Sequence, residues 1–166
     1  MNHVSVELRP VVAEDLPFFL AYQRDEVAFD MVAYVPRERN QEDQFYAHWQ
    51  KILADDHTLI RTIVFEGQVA GYVMIFDREN QREVAYWIDR ALWGKGLATA
   101  ALSRLLKEVG ERPLYAGAIR SNTRSLKVLQ NCGFVITGEV REFARGRGED
   151  VDTCLLKLEQ PSEPCP

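Results

Sequence analysis

At Leu59 the spacing of apolar residues changes, and that change limits the folds open to this chain. Leu59–Phe65 and Val69–Phe76 are runs of β-branched and aromatic residues joined through Glu66-Gly67-Gln68. A glycine there permits the positive φ of a tight hairpin. Glu83–Asp89 continues the meander as a third strand. The period then becomes helical: Leu97, Ala98, Ala101, Leu102, Leu105, Leu106 and Val109 share one face of the strongest amphipathic helix in the chain. Leu114–Ile119 reads as a strand, Asn122–Cys132 as a helix closed by Gly133, and two strands flank Arg145-Gly146-Arg147-Gly148. Upstream, Val4–Arg9 alternates as a first strand. Asp15 and Pro17 suit the first turn of a helix that carries Leu16, Phe19 and Leu20, and Asn40 suits the cap of another that carries Phe45, Trp49, Ile52 and Leu53. The expected order is β-α-α-β-β-β-α-β-α-β-β. That is an α/β architecture in the α+β sense, a mixed sheet with helices on its faces. We expect one domain over residues 1–160 and a frayed, proline-rich tail over 161–166.

Composition narrows the partners. The chain has 166 residues, 46% hydrophobic and 27% charged, enough to bury a core and too apolar for disorder. Its longest nearly unbroken apolar run is Val69–Phe76, far short of a membrane span, and Met1–Pro10 holds Glu7 and Arg9 with no apolar signal region. Cys132, Cys154 and Cys165 form no CxxC pair, and His3, His48 and His57 lack ligand spacing. A cytoplasmic protein without a membrane partner or a metal is therefore expected, with a homodimer left open. The net charge of −5 argues against a general nucleic-acid partner. Its distribution is uneven: residues 1–89 carry −8, residues 90–148 carry +7, and residues 149–166 carry −4. A basic middle in an acidic chain suits a polyanionic ligand there and a cationic one elsewhere, the plain alternative being chance clustering of solvated charge. Arg141, Arg145 and Arg147 read as a solvated hairpin without the interleaved aromatics of an RNA surface.

The chemistry concentrates in Ile88–Thr99, where a strand passes through Trp93-Gly94-Lys95-Gly96 into a helix. Glycines let a backbone approach a ligand closely, and the first-turn N–H groups of a helix favour a phosphate. A bare strand-to-helix turn would use the same glycines. A Walker loop requires GxxxxGK[ST], which the chain lacks, and a dinucleotide fold requires a third glycine where Thr99 stands.

Trp93-Gly94-Lys95-Gly96-Leu97-Ala98 resembles the pyrophosphate loop of the GNAT acetyltransferases. It follows Glu83-Val84-Ala85-Tyr86-Trp87-Ile88, similar to that family's splayed fourth strand. Asn122-Thr123-Arg124-Ser125 and Leu129-Gln130-Asn131-Cys132-Gly133-Phe134 resemble its downstream Asn-x-x-Ser and Gly-Phe segment. The resemblance covers nearly the whole chain and is closest to the ribosomal-protein N-terminal acetyltransferase (RimJ/RimL-like) branch. Two positions depart from the pattern: Trp93 replaces an arginine or glutamine at the start of the loop, and Leu129 replaces a tyrosine that many members use as general acid.

The resemblance implies an enzyme that moves acetyl from acetyl-CoA to an amine by direct attack, the amine being a peptide or protein N-terminus or a small cationic molecule. The backbone N–H groups of Gly94, Lys95, Gly96, Leu97 and Ala98 would hold the pyrophosphate, with the Thr99 hydroxyl close by. The backbone of Trp87 and Ile88 would lie beside the pantetheine and thioester. Lys95, Arg124 and Lys127 would supply charge toward the nucleotide, and Asn122 would either contact the cofactor or only cap its helix. Glu83 is the candidate base, against an ordinary strand-edge carboxylate. Ser125 is the candidate hydrogen-bond or proton donor to the leaving thiolate, against a surface serine. Tyr86 reads as packing or acceptor-site lining, and Cys132 as packing. A non-catalytic acyl-CoA-binding regulator on the same fold is the alternative, kept open by Leu129.

Overall fold

The computed structural model describes residues 4–32 and 35–159. The expected tail at 161–166, Cys165 and His3 lie outside the described residues. Seven strands form one sheet in the order β1-β2-β3-β4-β5-β7-β6. They are β1 (Glu7–Arg9), β2 (Leu59–Phe65), β3 (Gln68–Arg78), β4 (Gln81–Ile88), β5 (Leu114–Ile119), β6 (Val135–Ala144) and β7 (Glu149–Leu158). The helices are α1 (Leu16–Arg24), α2 (Glu26–Val32), α3 (Glu42–Ala54), α4 (Leu97–Glu108) and α5 (Thr123–Asn131). None of the described helices is long and apolar enough to cross a membrane.

The meander forms where the period indicates, and its turns are tighter than expected. Glu66 (φ 51°) and Gly67 (φ 77°) make a two-residue turn, so Gln68 already belongs to β3. Glu79 and Asn80 do the same between β3 and β4. At the amino end only Glu7–Arg9 pairs with β2; the carbonyl of Val6 instead accepts Arg104 Nη1 at 2.6 Å.

The expected order holds, with one helix added. Asp25 accepts from the N–H groups of Val27 (3.0 Å) and Ala28 (3.2 Å) and so starts α2 inside what reads in the sequence as an acidic stretch. Asn40 does not cap α3. It ends a 3-10 turn, and its Oδ1 accepts from Gln23 Nε2 at 2.8 Å, while Gln41 precedes the helix without a side-chain cap. A tertiary partner for the Asn40 amide has overridden the local capping preference. Asp15, almost fully buried, receives Arg9 through both guanidinium nitrogens (2.7 and 2.8 Å) and Thr62 Oγ1 at 2.7 Å, which ties the start of α1 to β1 and β2. Burial pushes its carboxyl upward, but these bonds outweigh that cost and hold it below the usual value.

Each face of the sheet has its own core. Val84, Ile88, Leu102, Leu105, Leu129 and Phe134 pack with α4 and α5 on one face. Leu16, Phe19, Phe45, Trp49, Ile60 and Trp87 pack with α1 and α3 on the other. Alternation along β4 thus sends even-numbered side chains toward α4 and α5, and odd-numbered ones toward α1 and α3.

Candidate active site

The site begins where the sheet comes apart. Among the described residues β4 and β5 are its only parallel neighbours, and their ladder has a single register pair, Glu83 with Tyr115. Beyond that pair β4 continues to Ile88 and β5 to Ile119, with no further pairing between them. The N–H of Asp89 donates to Ala70 on the β3 side at 2.9 Å, so the alternate backbone groups of Tyr86 and Ile88 turn toward the seam. Trp87 is in register with Tyr72 of β3 and has its ring in the core, so Ile88 is the better placed of the two residues expected beside the thioester.

At the open end of the seam, Gly94 (φ 80°) and Gly96 (φ 82°) both adopt the left-handed conformation that bulkier residues resist. Gly96 starts α4 without a side-chain cap, and the first bond of the helix runs from the Ala100 N–H to the Gly96 carbonyl at 3.1 Å. The N–H groups of Leu97, Ala98 and Thr99 therefore have no acceptor inside the helix. Gly94, Lys95 and Gly96 are exposed, Leu97 is buried, and Ala98 and Thr99 are half-buried. The loop is shaped to receive an anion at a helix N-terminus.

Trp93 explains the atypical start of this loop. Its indole N–H donates to the Ile88 carbonyl at 2.9 Å, and the Arg124 guanidinium lies 5.2 Å from its ring centre. Arg124 of α5 thus places a cation beside the loop's first position. Lys127 is exposed on α5. A groove of about 830 Å³ runs from Lys95, Gly96 and Thr99 along Ser103, Arg104 and Lys107 to Asn131 and Val4–Val6. Arg104 and Lys107 were not among the expected cations; their spacing on one exposed face of α4 was the available signal. A second hollow of about 370 Å³, between Asp56, His57, Asp77, Arg82 and Glu111, lies at the opposite end of the strands. There Arg82 is already held by Asp77 (3.1 Å) and Glu111 (2.9 Å).

Glu83 and Ser125 fall on opposite faces of the seam. By its parity Glu83 points toward the α1–α3 face, with a side chain only 15% exposed and its Oε2 3.8 Å from Arg78 Nε. Burial raises its carboxyl above the ordinary value; Arg78 opposes that rise, and Glu79 and Glu142 add to it. Ser125 sits in the first turn of α5, on the α4–α5 face. Its N–H donates to Asn122 Oδ1 at 3.2 Å, and its Oγ lies 2.7 Å from the Tyr86 hydroxyl. Asn122 is doubly engaged, as the cap of α5 and as donor from Nδ2 to the Met31 carbonyl of α2 at 3.4 Å. Tyr86 is more than lining. The signal was its parity with Val84 and Ile88, which puts the phenol on the same face as α5. Leu129 is buried in the core one turn along from Ser125. Cys132 is half-buried, with Sγ 3.7 Å from the Thr99 carbonyl and a thiol pushed up to about 11 by burial, as suits a packing residue.

α2 borders the seam and is tied to three elements: Arg90 Nε donates to Asp25 at 2.7 Å, Asn122 to the Met31 carbonyl, and Arg147 Nε to the Asp30 carbonyl at 2.9 Å. Arg147 is therefore a tether rather than a purely solvated charge. Asp25 is committed to a cap and to Arg90, whereas Glu26 and Asp30 stay exposed and only loosely paired with Arg37, at 3.5 and 3.9 Å.

The sheet thus parts between two parallel strands, with a glycine loop and a helix start at its mouth. The acetyltransferase (GNAT) domain family matches residues 5–135, and the chain belongs to that family. The chain is 33% identical over 94 residues to the uncharacterized N-acetyltransferase p20 of Bacillus licheniformis, covering 53% of this chain and 52% of that protein. It thus spans about half the length of this relative. The spermidine N-acetyltransferase of Vibrio cholerae, solved with CoA and spermine, superposes with a TM-score of 0.80 at 18% identity over 93% of this chain and 95% of its own. RimJ of Mycobacterium smegmatis, solved with a CoA disulfide, gives 0.79 at 21% identity over 96% and 84%. At these identities the superpositions establish the fold.

Proposed function

We propose that the protein transfers acetyl from acetyl-CoA to a primary amine, either a peptide or protein N-terminus or a small cationic amine, by direct attack and without a covalent enzyme intermediate. The observation that carries this reading is the parted β4–β5 seam with Glu83 on one face and Ser125 on the other. The loop N–H groups from Gly94 to Ala98, with Thr99 beside them, suit the pyrophosphate. Lys95, Arg124 and Lys127, joined by Arg104 and Lys107 along the groove, suit the rest of a polyanionic nucleotide. A backbone N–H of Ile88 turned into the seam would stabilise the oxyanion that develops on the thioester carbonyl, a contribution of roughly 3 kcal/mol where such donors are preorganised. Glu83, directly or through water, takes the proton of the attacking amine. Ser125 meets the sulfur on the far side.

The kind of amine follows from protonation. Freeing the lone pair of a lysine with a pKa of about 10.4 costs about 4.6 kcal/mol at pH 7, whereas an α-amine near 7.7–8.0 costs only about 1–1.4 kcal/mol. A single half-buried carboxylate suits the smaller demand, and exposed Glu26 and Asp30 beside the seam favour a cation. The V. cholerae neighbour, solved with spermine, is compatible with a small cationic acceptor. We read residues 1–160 as one catalytic domain, since every described strand joins one sheet.

Turnover of acetyl-CoA against a panel of polyamines and paired peptides tests this. The free-N-terminus peptide is expected to exceed its N-acetylated, lysine-containing twin in kcat/KM. A preference for the blocked twin overturns the acceptor assignment. Tight acetyl-CoA binding with no turnover on any amine, at a site where Leu129 leaves α5 without a phenol, would favour the non-catalytic acyl-CoA-binding regulator.

A further inference from the structure

We infer that Tyr86 is a positioning residue for the transfer step, fixing the Ser125 hydroxyl so that its proton faces the departing sulfur. This inference rests on the acetyltransferase reading above and concerns its second half. Tyr86 reaches across the seam from β4 to α5, where its single hydroxyl proton has two acceptors on Ser125, the carbonyl at 3.2 Å and Oγ in the shorter contact at 2.7 Å, in which either oxygen could donate. A serine hydroxyl has one proton and two lone pairs, so what surrounds it decides where the proton points. The phenol is the stronger acid of the two and the better donor into the short contact. Once Ser125 Oγ accepts that bond, its own proton is released to a third group. Asn122 holds Ser125 in the first turn of α5, and on the acetyltransferase reading that third group is the thioester sulfur in the seam.

The same phenol is a poor proton source. Burial holds it at about 12, well above the value of about 8.5 for a free thiol, so it stays protonated beside a thiolate and acts as a fixed donor. The balance of the step follows. The amine nitrogen forms the new C–N bond and gives its surplus proton to Glu83. The C–S bond breaks and its electron pair leaves on sulfur. Ser125 hydrogen-bonds that sulfur, which is protonated to the free thiol by water, and Glu83 returns its proton to solvent. Tyr86 is unchanged throughout. A hydroxyl pair shared between β4 and α5 thus lies one turn before Leu129, the position at which the family pattern has a tyrosine.

Tyr86→Phe removes one oxygen and keeps the ring. With acetyl-CoA its kcat is expected to fall about 10- to 50-fold while the dissociation constant for acetyl-CoA stays within about twofold. The readout that a packing role would not move is leaving-group dependence. With the acetyl thioester of an aromatic thiol, whose thiolate needs little stabilisation, the ratio of wild-type to Tyr86→Phe rates is expected to approach one. Ser125→Ala combined with Tyr86→Phe is expected to be no slower than Ser125→Ala alone, because both remove the same donor. Equal defects with both thioesters, or additive losses in the double variant, overturn the inference in favour of packing. A wild type that turns over normally alongside an unimpaired Tyr86→Phe overturns this inference alone. A wild type with no turnover overturns the acetyltransferase reading, and this inference with it.

Discussion

Glu83, the proposed base, would serve chemistry at a cost to the fold. Burial raises its pKa, and Arg78 at 3.8 Å only partly offsets that, so ionised Glu83 is a better base than an exposed glutamate and a less comfortable one. We expect Glu83→Gln to lower kcat by about 10²- to 10⁴-fold with acetyl-CoA affinity nearly intact, measured by steady-state kinetics and calorimetry. The acid limb of the wild-type rate profile should fall above the ordinary carboxylate range and vanish in the variant. The stability effect has the opposite sign. A group whose folded pKa is raised favours the fold below its unfolded value and loses that contribution as pH rises through the folded value. Glu83→Gln should therefore melt higher than wild type at neutral pH, with the gap closing on acidification below the carboxylate range. A variant that melts lower at pH 7 would show that the pairing with Arg78 outweighs burial.

At the level of elements, the turn from β4 into α4 depends on backbone conformation rather than on side chains. Gly96 is left-handed at φ 82°, and a Cβ there would point toward Val4 Cγ2 at 3.7 Å, so space is available but the conformation is wrong for a branched residue. The strain of Gly96→Val is on the order of 1–2 kcal/mol, which a fold of ordinary stability survives. The expected outcome is a folded variant, by circular dichroism, that no longer binds acetyl-CoA in calorimetry, because relieving the strain rotates the first-turn N–H groups of α4. Normal binding by a folded Gly96→Val would remove this loop from the cofactor site. Trp93 and Arg124 act on the same element from outside, the indole pinned to the Ile88 carbonyl and the guanidinium stacked on its ring.

For the whole molecule, segregated charge is the governing property. Residues 90–148 carry +7 in a chain of net −5, and they include the loop, α4 and α5 around the proposed nucleotide seat, together with β5 and β6. Attraction between exposed charges is screened over about 10 Å at 0.1 M salt. Affinity for acetyl-CoA is therefore expected to weaken steeply between low and high ionic strength. Calorimetry across a salt series checks this, and an affinity indifferent to salt would separate the basic segment from the nucleotide. The first 89 residues are acidic, and α2 keeps Glu26 and Asp30 exposed.

The sequence alone determined what depends on chain neighbours. The periods of β2 to β5, α4 and α5, the positive φ of Gly67 in its hairpin, the Asn122 cap and Gly133 at φ 97° follow from local sterics and patterning, and they were legible for that reason. Even local signals yielded where a distant partner competed, as when Gln23 took the Asn40 amide; the start of α2 at Asp25 was a local cap outside the expected order. Glu83 and Ser125 could be nominated as positions, but their placement on opposite faces of an open seam needed the strand order and the single β4–β5 register pair. Tyr86 meets Ser125 across 39 residues of chain, and Arg90 meets Asp25 across 65. Such contacts exist only once the sheet has set which side chains share a face, so the tertiary structure alone decided them.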